Sequence, residues 1–167
     1  MVAPDNATTD NRAWWFGAGL TVVHCRHKDA GVAFMENSSP GGSGGFPPLH
    51  ARENADEGMY VLEGALRLYV GDDVIEIGPG EFGRAPRGVP HTFEVASDEP
   101  VRYIHWVTGP IDEYVEAVAT PAAEPRLPRE DEIPPYPDPA EIARIATEKG
   151  ATILGPPGML PTELPAS

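Results

Sequence analysis

Three side chains near the middle of the chain have the types and spacing of a metal centre: His50, Glu57 and His91. Two imidazoles and one carboxylate are the minimal facial set for a divalent transition ion, with positions left open for other ligands. Side chains alternate faces along a strand. His50 and Arg52 therefore share a face, as do Glu57, Met59 and Val61 on the next strand and His91, Phe93 and Val95 on a later one. If these faces line one interior, the two histidines and Glu57 meet at one end while Met59, Val61, Phe93 and Val95 form an apolar wall, the usual make-up of a small-molecule site. His105 shares its face with Val101, Tyr103 and Val107 and offers that interior an extra base or a further ligand. His24 and His27 fall on opposite faces of a strand, so they read as ordinary surface or core histidines.

The elements that position these residues read as β-structure. Of 167 residues, 20 are proline and 18 glycine, which favours many short strands and turns over long helices. Seven β-rich runs, "LTVVHC", "GVAFME", "GMYVLEG", "ALRLYV", "DVIEI", "HTFEVA" and "VRYIHWV", are separated by Gly, Pro, Asp and Ser clusters with no helical pattern between them. This predicts an antiparallel sandwich or barrel. Gly64 is read as the turn that sends "ALRLYV" straight back along "YVLE", and Gly71-Asp72 as a second hairpin turn. After Gly109-Pro110, Ile111, Tyr114, Val115 and Val118 have the spacing of a short amphipathic helix. Seven prolines from Pro121 to Pro139 make an extended arm. Asp138, Pro139 and Glu141 then start a helix that Gly150 stops, and the apolar tail "ATILGPPGML" is expected to dock on its own barrel or on a neighbouring subunit. The expected organisation is a flexible lead-in over residues 1–13, a barrel over 14–110 and a Pro-rich extension with short helices over 111–167.

The net charge of −14 leaves no basic face for nucleic acid. The only cysteine, Cys25, excludes an intramolecular disulfide and a Cys-rich zinc site. The start of the chain lacks the pattern of a signal peptide, and no apolar run is long enough to span a membrane, so a cytoplasmic location with no membrane partner is expected.

The spacing resembles the two motifs of the cupin family. In the first, G(X)5HXH(X)3-4E(X)6G, Gly44 is similar to the opening glycine, His50 to the first histidine, Glu57 to the glutamate and Gly64 to the closing glycine, while Arg52 replaces the second histidine. In the second, G(X)5PXG(X)2H(X)3N, the matching residues are Gly80, Pro86, Gly88 and His91, with Val95 in place of asparagine. The resemblance extends more loosely to small single-domain, quercetin dioxygenase-like cupins. It implies an all-β double-stranded β-helix, or jelly-roll barrel, with short C-terminal helices, in a homodimer. It also implies that His50, Glu57 and His91 hold a divalent transition metal (Fe, Ni, Co, Mn, Cu or Zn), with oxygenase activity on a small aromatic or enol-like substrate.

Arg52 sets a competing expectation. A guanidinium stays charged and ligates no metal. At about 5 Å, a dication would repel it by about 7 kcal/mol in gross Coulomb energy at an effective dielectric near 20, whereas Glu57 would attract it by about 3 kcal/mol. An inward Arg52 thus favours a metal-free pocket with Glu57 as its ion-pair partner, and an Arg52 at the pocket rim leaves the metal in place. Three functions follow. The first is a metal-dependent oxygenase. The second is a non-oxidative cyclase, isomerase or lyase in which Arg52 binds an anionic substrate and Glu57 or His91 moves a proton. The third is a cupin that binds a small molecule without turning it over.

Overall fold

A computed structural model describes residues 12–42 and 47–165. The expected lead-in, through residue 11, and Gly44 of the first motif lie outside the described residues. The strands are β1 (Ala13–Phe16), β2 (Gly19–Cys25), β3 (Ala33–Ser39), β4 (Pro48–Ala51), β5 (Glu57–Glu63), β6 (Leu66–Val70), β7 (Asp73–Ile77), β8 (Phe82–Ala85), β9 (His91–Val95), β10 (Val101–Val107), β11 (Thr120–Pro121) and β12 (Thr152–Pro157). The helices are α1 (His27–Ala30), α2 (Ile111–Val118) and α3 (Pro139–Glu148). None of them is long and apolar enough to cross a membrane.

The strands form two antiparallel sheets, one in the order β11-β1-β2-β3-β10-β5-β8 and the other β12-β4-β9-β6-β7. Alternation explains how they face each other. Along β6, Leu66, Leu68 and Val70 are buried, and along β10 so are Val101, Tyr103, His105 and Val107. Met59, Val61, Leu66, Leu68, Ile77, Val95 and Tyr103 fill the space between the sheets. A second cluster, with Trp14, Val23, Met35, Val107 and Ile111, seats α2 against the longer sheet.

Gly71 closes the expected hairpin, with φ of 57° and Val70 opposite Asp73. Gly64 does something else. The strands it joins lie in different sheets, β5 beside β10 and β8, and β6 beside β7 and β9. It is a crossing between layers, at φ of 73°, and a Cβ there would sit 2.8 Å from the Pro100 carbonyl oxygen. The extension after residue 110 also contributes to both sheets. Its β11 pairs with β1, and its β12 pairs with β4, so the apolar tail docks on its own barrel. Between them α3 starts as read, with Asp138 Oδ1 accepting the Ala140 N–H at 2.7 Å and Pro139 in the first turn; Gly150 ends it at φ of 80°.

Candidate metal centre

His50 and His91 are direct register partners on β4 and β9, which places their rings 4.3 Å apart between centroids. Glu57 begins β5 in the opposite sheet and faces them across the interior. His50 Nδ1 lies 2.9 Å from the Pro48 carbonyl oxygen and His91 Nδ1 2.8 Å from that of Val89. A carbonyl only accepts, so both rings carry their proton on Nδ1 and turn an Nε2 lone pair inward. His50 Nε2, His91 Nε2 and a Glu57 oxygen all lie within 4.8 Å of one another. The two nitrogens stand 3.8 Å and 3.3 Å from Glu57 Oε2. The His91 contact is off the line of a hydrogen bond, so this buried nitrogen has no hydrogen-bond partner among the described residues. Buried polar atoms are rarely left so. An orphaned imidazole nitrogen beside a second imidazole and a carboxylate fits a divalent transition ion.

Arg52 lies inward. It follows β4, shares the face of His50, is 4 % exposed and donates from Nε to Glu57 Oε2 at 2.6 Å. The oxygen it holds is the one nearest the two histidines. Glu57 Oε1 accepts from His105 Nε2 at 2.9 Å, so His105, two residues along β10 from the register partner of Glu57, also belongs to the cluster. Burial alone would drive the Glu57 carboxyl up, but the Arg52 charge and the three histidines outweigh it and hold Glu57 well below the usual carboxylate range. Burial lowers His50. It opposes protonation of His91 as well, yet the neighbouring Glu57 leaves that group raised.

A cavity of about 160 Å³ opens over this cluster. His50, Arg52, Glu57, His105 and Phe93 line it, and its apolar wall differs from the one expected from strand parity. Met59, Val61 and Val95 pack into the core between the sheets; Met59 borders only a void of about 10 Å³ beneath the site. The wall comes instead from Phe16, from Ile111, Tyr114, Val115 and Val118 of α2, and from Ile153 of β12. Burial pushes the Tyr114 hydroxyl up to about 12, so it stays protonated at neutral pH. The helical spacing of the α2 residues was legible, but nothing in a single helix says that the face it buries closes a cavity. His24 and His27 stand apart from the cluster, His24 beside Glu36 at 3.4 Å.

Residues 34–107 match the model of the cupin domain. Quercetin 2,3-dioxygenase of Bacillus subtilis is 27 % identical over 88 residues, which cover 53 % of this chain and 26 % of that protein. The chain therefore spans about a quarter of that relative. Oxalate decarboxylase of Lactobacillus farciminis, solved as a formate complex, superposes with a TM-score of 0.50 at 19 % identity over 60 % of this chain and 32 % of that one. A cupin domain from Schizosaccharomyces pombe gives 0.48 at 15 % identity, over 53 % of this chain and 63 % of that one. Both sequence motifs, the two facing antiparallel sheets and the matched span agree: residues 34–107 are a cupin domain.

Proposed function

We propose that this chain is a metal-dependent cupin enzyme, an oxygenase acting on a small aromatic or enol-like molecule. One observation carries the reading: two imidazole nitrogens, each fixed by a backbone carbonyl on its far side, converge with a carboxylate inside 4.8 Å under a mainly apolar cavity. The activity named for the Bacillus subtilis relative points the same way. His50, Glu57 and His91 would hold the ion. When bound, a divalent transition metal supplies Lewis acidity and, if redox-active, a means of activating dioxygen.

The chain's own residues do the rest. The apolar wall from Phe16, Phe93 and α2 excludes water around the substrate ring. A carboxylate only accepts, so His105 donates its Nε2–H to Glu57 in a hydrogen bond and keeps that proton, which leaves His105 Nδ1 as the ring nitrogen able to take a proton from a substrate hydroxyl. Glu57 then stabilises the imidazolium, as a buried carboxylate does beside a catalytic histidine. Purified protein reconstituted with iron, nickel, cobalt, manganese, copper or zinc should retain about one ion per chain by mass spectrometry, and His91→Ala should lose it. Protein that holds none of these ions would overturn the reading, as would turnover that continues in strict anaerobiosis.

The Arg52–Glu57 pair favours a second reading, a metal-free isomerase, cyclase or lyase for an anionic substrate. Activity that survives a chelator and disappears in Arg52→His would select it. A two-copy assembly in the cytoplasm belongs to the same proposal. Phe34, Tyr60 and Phe82 are exposed on the outer face of the longer sheet, and sedimentation equilibrium should give twice the chain mass.

A further inference from the structure

Arg52 and a metal ion compete for one atom. Glu57 Oε2 takes the Arg52 Nε–H at 2.6 Å, and the same oxygen is the one nearest His91 Nε2 and His50 Nε2. Both partners of the ion pair are buried, with side-chain exposures of 5 % and 2 %. A dication placed among the three ligands would sit beside a guanidinium that cannot lose its proton, and one carboxylate cannot neutralise both. The charge balance asks for a further anion. Arg52 has donors for it: a guanidinium carries five N–H groups, and this one makes no side-chain hydrogen bond among the described residues other than that from Nε. Arg52 also lines the cavity, whose other walls are mainly apolar.

We propose that Arg52 couples two ligands at this site. A carboxylate on a small, largely apolar molecule enters the cavity and binds the guanidinium, Glu57 is released to the metal, and metal and carboxylate bind with positive cooperativity. Planar bidentate pairing with a carboxylate is what a guanidinium does best. The substrate class this assigns is a single-ring aromatic or enol acid, in keeping with the about 160 Å³ available. Arg52 acts here as a specificity residue that also controls metal loading. The inference rests on the metal-centre reading above.

Coupling of this kind is reciprocal, which makes it measurable without turnover. Titration calorimetry with Co²⁺ as the metal and benzoate as the carboxylate tests it. Saturating benzoate should tighten Co²⁺ binding by about tenfold or more, Co²⁺ should tighten benzoate by the same factor, and neutral benzamide should do neither. In Arg52→Gln the factor should fall to within about twofold of unity, whereas a direct bond from benzoate to cobalt would survive that change. Arg52→His, which removes the fixed charge and restores a ligand, should bind Co²⁺ tightly whether or not benzoate is present; it also serves if Arg52→Gln does not fold. Equal Co²⁺ affinity with and without benzoate in the wild type would overturn the coupling and leave the metal centre standing, and so would the same factor in the wild type and both variants. Absence of Co²⁺ binding in every protein and condition would defeat the metal centre itself, and the coupling with it.

Discussion

At the scale of single residues the molecule is organised around the Glu57 carboxylate, to which Arg52, His50, His91 and His105 all turn. Removing one partner of a buried ion pair leaves the other uncompensated, at a cost of about 3–5 kcal/mol, whereas removing both costs much less. Arg52→Met should therefore lower stability by about 3 kcal/mol, and adding Glu57→Gln should return part of that loss. Urea denaturation of the two single variants and the double closes the cycle; strictly additive losses would show that the pair is not coupled. The members of this cluster are legible in the sequence. Motif spacing singled out His50, Glu57 and His91, and strand parity placed Arg52 and His105 on the same side. Parity could not say how deep each residue lies. Met59 and Val61 share the Glu57 face, but Leu66, Leu68 and Tyr103 close over them, so they became core instead of cavity wall.

At the scale of elements, the seven β-rich runs are all strands, whereas β1, β8, β11 and β12 carry no such run and β4 shows only through the face that His50 shares with Arg52. Those five are short or carry proline, and tertiary pairing decides them. The turn at Gly64 illustrates the same limit, because a glycine at positive φ is required equally by a hairpin and by a crossing between sheets. Its close approach to the Pro100 carbonyl and its φ of 73° make a testable point. Gly64→Ala should cost about 2–4 kcal/mol from left-handed strain plus overpacking, measured by chemical denaturation; a change under about 0.5 kcal/mol would mean that the crossing relaxes freely. The proline-rich arm is held differently, by charge. Arg126 accepts the Trp15 indole N–H on its carbonyl at 2.7 Å and pairs its guanidinium with Glu132 at 2.7 and 2.9 Å. Hydrogen bonds from Arg126 and from the Arg129 backbone hold Glu132 at about 2. A carboxyl depressed in the folded state contributes its stability above the ordinary value of 4.5 and loses it as pH falls toward about 2. Exchange of the Trp15 indole proton with solvent should therefore accelerate across that window, and Glu132→Gln should exchange fast already at neutral pH.

For the whole molecule the C-terminal extension and the metal centre answer one question, namely what makes this barrel a binding site. The strand β12 covers the edge of β4, the strand that carries His50, and with α2 it walls the cavity above the cluster. The same chain segments that finish the fold thus finish the site, and occupancy of the site should feed back on global stability. A ligand that binds only the folded state adds RT ln(1 + [L]/Kd), which is about 2.7 kcal/mol at a hundredfold excess over Kd. For a chain of this size each kcal/mol moves the melting temperature by about 2–4 °C, so saturating divalent metal should raise it by about 5–10 °C. A chelator should reverse the shift. His91→Ala should abolish it, because the orphaned Nε2 is one of the three converging donors. Scanning calorimetry of both proteins, with and without metal, makes the comparison. A shift of equal size in His91→Ala would place the ion elsewhere on this acidic surface, where a net charge of −14 attracts cations without a built site.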